Sequence, residues 1–126
     1  MNVIETSSGI ATEIEKGIIH FQYFKGIEIT EEQVQENLDL LEDYVNKHGK
    51  IKLILEIPST TYDSSEAFEY LNNVKYKNKN TVAMALIVKS IAQRLNSKYY
   101  HTNIETGAPT AFFKTFDEAL VWVKTI

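Results

Sequence analysis

Four pairs along this chain set a Ser, Thr or Asp three positions ahead of a Glu or Gln at the head of an apolar stripe with helical spacing: Thr30 with Gln33, Asp63 with Glu66, Ser90 with Gln93, and Thr115 with Glu118. Each pair is a helix-start signal. The short polar side chain satisfies a backbone N–H that the first helical turn leaves unpaired, and the longer one reaches back to the residue before the helix. Ahead of each signal lies a short apolar run, and behind each lies an apolar stripe at helical spacing. Strands joined through helices are normally parallel with right-handed crossovers, so the chain reads as α/β.

The individual elements follow from their periods. Ile10 to Glu15 alternates Ile10, Thr12 and Ile14 against Ala11, Glu13 and Glu15, and Lys16-Gly17 turns the chain into a second strand over Ile18 to Phe24. These two runs predict an antiparallel hairpin at one edge of the sheet. Behind Thr30, the spacing of Val34, Leu38, Leu41 and Val45 predicts a helix with those residues inward, ended by Lys47, His48 and Gly49. Ile51 to Ile57 reads as a strand with Leu53, Leu55 and Ile57 on one face and Ile54 on the other. A helix burying Ala67, Phe68, Leu71 and Val74 follows. Val82 to Val88 is an unbroken apolar run, the mark of a central strand covered on both faces. Ile91, Leu95 and Tyr99 then face inward from a third helix. A short strand over Thr110 to Phe113 precedes the last helix, with Phe116, Ala119, Leu120 and Val123 inward. The order is β-β-α-β-α-β-α-β-α in one domain over residues 1–126, with 1–9 a loosely ordered or edge segment.

Composition removes several function classes. The chain has no cysteine, which excludes a disulfide scaffold, a thiolate metal site and a cysteine nucleophile. A net charge of −4 argues against nucleic acid as the main partner, because that binding begins with phosphate neutralisation. The segment Lys75-Tyr76-Lys77-Asn78-Lys79-Asn80 reads as a solvated loop rather than a nucleic-acid contact. The start, Met1-Asn2-Val3-Ile4-Glu5, lacks the basic and apolar regions of a signal peptide, and no apolar run approaches about 18 residues. A cytoplasmic domain without membrane insertion is the default expectation.

In element order the chain resembles the STAS domain, the fold of bacterial anti-sigma-factor antagonists. The residues that carry the resemblance are Ala83-Met84-Ala85-Leu86-Ile87-Val88-Lys89-Ser90, Pro109 and Phe116-Asp117-Glu118-Ala119-Leu120-Val121-Trp122-Val123. They look most like a divergent STAS-like branch of small bacterial proteins. In antagonists of that family a strand leads into Asp-Ser-Ser/Thr-Gly, whose last hydroxyl residue is phosphorylated by a partner kinase. Here Leu53-Ile54-Leu55-Glu56-Ile57 leads into Asp63-Ser64-Ser65, so the resemblance implies Ser65 as the acceptor. Glu66 and Ala67 stand where the family has Gly-Leu or Gly-Ile, which sets a carboxylate beside it. The resemblance further implies a kinase-like anti-sigma factor or other regulatory protein as partner, and the hairpin edge leaves room for a homodimer.

The candidate sites each have a structural alternative. Asp63, Ser64 and Ser65 suit a phosphoacceptor or partner-binding segment, and equally a helix cap. In open α/β sheets ligands sit beyond the carboxyl ends of the strands, which gathers Lys89, Ser90, Lys114 and Thr115 as an anion- or ligand-binding edge, or as ordinary caps and solvated lysines. His20, His48 and His101 have no metal-ligand spacing, and His20 lies on a strand whose faces the sequence leaves unassigned. A Ser65, His101 and Asp117 triad lacks a nucleophile elbow, and no Gly-rich loop supplies an oxyanion hole or a phosphate cradle. The expected function is therefore a non-catalytic, cofactor-free protein-binding module docking through the face around Asp63–Ser65. The alternative is a domain that binds or senses a small apolar ligand or lipid.

Overall fold

The structure, a computed structural model, describes residues 2–67, 81–88 and 109–126. In chain order these form β1 (Val3–Glu5), β2 (Gly9–Glu15), β3 (Ile18–Tyr23), β4 (Glu28–Ile29), α1 (Glu31–His48), β5 (Ile51–Glu56), β6 (Tyr62–Asp63), β7 (Thr81–Ile87), β8 (Thr110–Phe113) and α2 (Phe116–Val123). The expected helical residues Phe68, Leu71, Val74, Ile91, Leu95 and Tyr99 lie outside the described residues, as do the Lys75–Asn80 segment, Ser90, Gln93 and His101.

Six strands make one mixed sheet in the order β1-β2-β3-β5-β7-β8. β1, β2 and β3 pair antiparallel, and β3, β5, β7 and β8 pair parallel. Gly17 turns the hairpin in the left-handed region at φ 88°, where a residue with a Cβ is strained. The expected hairpin is present, but β1 lies outside it, so β1 rather than the hairpin forms that edge. Three residues with all side chains exposed are too short to announce a strand in the sequence. A separate two-stranded parallel sheet joins β4 to β6, with Glu28 opposite Tyr62 and Ile29 opposite Asp63.

Period-2 alternation divides the core between the two faces. Ile19, Phe21, Leu53, Met84 and Leu86 face α1, where Leu41 and Tyr44 meet them. Ile18, Ile54, Ala85 and Ile87 face α2, where Ala119 and Val123 meet them. β7 is buried along nearly its whole length, as its unbroken apolar run predicts.

α1 begins at the predicted capping box. Thr30 Oγ1 accepts from Gln33 N at 3.2 Å, and Gln33 Oε1 accepts from Thr30 N at 3.0 Å. Its inner face differs from the apolar spacing: Val34, Asn37, Leu41 and Tyr44 are buried, whereas Leu38 and Val45 are half-buried at the flanks. The rotation has a polar cause. Asn37 Nδ2 donates to the buried Ser8 Oγ at 2.9 Å, and Tyr44 Oη donates to Glu13 Oε2 at 2.5 Å while accepting from Gly17 N at 2.9 Å. Both polar side chains bond to groups on the antiparallel strands and their turns, and those bonds set which face of α1 turns inward.

No helix among the described residues is long and apolar enough to cross a membrane.

Candidate functional site

The chain reaches Asp63–Ser65 through a loop that is sewn to the loop preceding α1. Gly26 N donates to Thr60 Oγ1 at 2.9 Å, and Thr61 Oγ1 donates to the Phe24 carbonyl at 2.5 Å. Tyr62 N then donates to Ile27 O at 3.2 Å and Ser64 N to Ile29 O at 2.9 Å. Thr60 and Thr61 therefore stand in for a strand register where the backbone alone forms none. Beneath them Ile29, Val34 and Ala67 make a small apolar cluster, with Tyr23, Ile27 and Leu38 packed against it.

On this base the three predicted residues separate. Asp63 pairs with Ile29 in the two-stranded sheet, which holds its backbone extended. The helix cap consequently lies one residue later than the Asp63–Glu66 spacing predicts: Ser64 Oγ accepts from Ala67 N at 3.0 Å. Ser64 is buried, and its hydroxyl is committed to the cap. Ser65 and Glu66 are exposed on the first turn. Beside them stands a residue that the sequence reading passed over: Tyr62 is 59% exposed. Its hydroxyl donates to Glu28 Oε2 at 3.0 Å, and that bond to a carboxylate holds the phenol above its usual pKa.

Of the second expected cluster, Lys89 and Ser90 lie outside the described residues. Lys114 is exposed. Thr115 is the N-cap of α2, with its Oγ1 accepting from Glu118 N at 3.3 Å and donating to Glu118 Oε1 at 3.1 Å. Its hydroxyl is thus engaged within the helix start.

The histidine on β3 lies inside. His20 is buried, with its Nε2 3.0 Å from Glu56 Oε1 and its ring tilted over Phe116 at a centroid distance of 4.5 Å. Burial lowers its pKa below the ordinary value of 6.5, opposed by the hydrogen bond and the charge of Glu56. Neutral imidazole is the favoured form, and facing a carboxylate its Nε2 is the donor. One signal was present in the sequence: His20 shares the strand parity of Ile18, and Glu56 that of Ile54. Which parity faces a helix was unknown until the sheet was assembled. His48 is exposed at the end of α1, its ring 4.6 Å from that of Tyr44. Among the described residues, no three His, Asp or Glu side chains gather in a way that could hold a metal ion.

The fold recurs in a solved structure. An uncharacterized protein from the DUF3478 family of Shewanella loihica PV-4, with a SpoIIAA-like fold, matches 96% of this chain and 89% of its own at a TM-score of 0.63 and 17% identity. At that identity the likeness shows the fold, and it agrees with the STAS-like architecture read from the element order. No curated protein sequence matches the chain. The model of a family described as a domain of unknown function, DUF7793, matches residues 12–126. With nearly its whole length covered by that model, this chain belongs to the DUF7793 family and carries its sequence on a SpoIIAA-like fold.

Proposed function

We propose that this domain is a non-catalytic protein-binding module that docks a regulatory partner through the surface around Asp63–Ser65. The observation that carries this reading is the exposed Tyr62 on a loop held by four cross-loop hydrogen bonds. A partner meeting this loop orders little of it on binding, so the contact loses little affinity to conformational entropy. Exposed tyrosine is a frequent anchor of such contacts. Glu28, bonded to Tyr62, and Glu66 on the following turn are exposed, as are Glu31 and Glu32 at the start of α1, which favours a partner surface rich in Lys and Arg. A kinase-like anti-sigma factor is the partner class that the family resemblance suggests, with Ser65 as its exposed hydroxyl and Ser64 retained for the fold.

The apolar-ligand alternative has weaker support. Among the described residues, the groove beside Phe113 and Trp122 runs along exposed positions of α2 and does not enclose a volume between sheet and helix.

The test is site-specific photo-crosslinking in the parent organism, with the reactive group at position 62 or 65 and controls at the exposed Glu42 and Lys47 on α1. A discrete adduct from 62 and 65 alone, with the adduct from 65 lost on Tyr62→Ala with Glu66→Lys, supports docking here. Equal adducts at all four positions, or none at any, would sink it.

A further inference from the structure

We propose that α2 is the contact of a weak homodimer in which two copies pack antiparallel across Val121. This surface is separate from that of Tyr62 and Ser65 and does not depend on the docking reading. Val121 is 66% exposed, while Ala119 and Val123 of the same helix are fully buried against the sheet. It borders an open groove lined by Phe113, Asp117, Glu118, Trp122 and Thr125, with the Phe113 and Trp122 rings 5.6 Å apart. A large apolar side chain in the middle of a charged stripe, beside an apolar groove, is the arrangement expected of a contact surface.

The pattern of charge identifies the occupant. A two-fold contact requires a surface complementary to itself. Asp117 precedes Val121 by four residues and Lys124 follows it by three. At about 100° per residue the two fall on the same flank of Val121, about 40° and 60° from it. A two-fold axis lying across the helix preserves the flank and reverses the order along it. With Val121 against Val121, Asp117 of each copy therefore comes level with Lys124 of the other, within about 1.5 Å along the axis. Two ion pairs then flank one apolar contact. A uniformly basic or acidic partner matches only one member of each pair and repels the other.

Lys124 Nζ also lies 3.1 Å from Glu15 Oε1, with both side chains about half exposed at 51% and 54%. Such a surface pair contributes little, and its ammonium has donors left for a second carboxylate. The eight residues of α2 span about 12 Å. Their contact falls well short of the roughly 800 Å² per partner of a standard stable interface, so the dimer forms only at high concentration.

Sedimentation velocity on the full chain, raised in steps to about 1 mM, reads this directly. The weight-average mass is expected to climb from 14.4 kDa toward twice that value. Val121→Asp should weaken the association at least tenfold; because Val121 is exposed, its urea midpoint should stay near the wild-type value. Asp117→Lys and Lys124→Asp should each weaken it, and the double exchange should restore it. A monomer throughout the series overturns the proposal. So does a dimer indifferent to Val121→Asp, or a double exchange no better than its two parents.

Discussion

His20 and Glu56 meet at 3.0 Å across the neighbouring parallel strands β3 and β5, beneath the ring of Phe116 at the start of α2. Burial is the largest influence on His20 and lowers its pKa, with Glu56 pulling the other way. In the unfolded chain this histidine takes up a proton near 6.5, whereas the folded protein resists the proton to lower pH. Between those two values the unfolded state binds more protons, so stability falls as pH drops through about 6.5 and levels out below the folded-state value. The urea midpoint should decrease from pH 7 to pH 5, and His20→Gln should flatten that decrease. An unchanged slope in the variant would assign the acid sensitivity elsewhere.

Glu56→Gln removes both influences that raise the imidazole and leaves burial in place. The His20 titration followed by NMR should then move to lower pH than in the parent protein. A move to higher pH would mean that the carboxylate does not face the ring in solution.

The two adjacent serines should separate cleanly in stability. Ser64→Ala deletes the cap on Ala67 N and is expected to cost about 1 kcal/mol. Ser65→Ala touches an exposed side chain and should stay within about 0.5 kcal/mol of the parent. Equilibrium urea unfolding of both variants checks the order, and a reversed order would move the helix start back toward the Asp63 cap.

Gly9 sits where β2 and β3 come close. A Cβ added there presses into the Gln22 carbonyl oxygen and lies 2.7 Å from Phe21 Cε1. Relief requires movement of a backbone that is itself paired in the sheet, so Gly9→Ala should cost about 1–3 kcal/mol. The measurement is again the unfolding midpoint, and a neutral variant would show the strands free to part at that end.

Tyr44 is buried, and its hydroxyl joins Glu13 to the turn amide of Gly17. Tyr44→Phe removes both bonds to the half-exposed Glu13 and Gly17 and is expected to cost about 1 kcal/mol. Burial, together with the bond to Glu13, raises the phenol above its ordinary value of 10.0. The unfolded chain therefore loses this proton first, and the parent protein should weaken as pH rises past about 10 in a way that the Phe variant does not.

The parts of this protein legible in its sequence are those whose physics is local. A capping box spans four residues, so Thr30 and Gln33 announce α1 by themselves. Lys16-Gly17 is enough to fold β2 onto β3, and the apolar run through Val88 is enough to make β7 a central strand. Tertiary structure decided everything that needed two distant segments in register. Asp63 loses the capping role to Ser64 because β6 pairs with β4, whose residues lie 34 positions earlier. Asn37 and Tyr44 turn inward because Ser8, Glu13 and Gly17 wait on β2 and the turns at its two ends. His20 meets Glu56 only once β3 and β5 lie side by side, 36 residues apart in sequence. Spacing along a chain specifies which groups can share a turn or a face, and the assembled sheet specifies which of those faces meet.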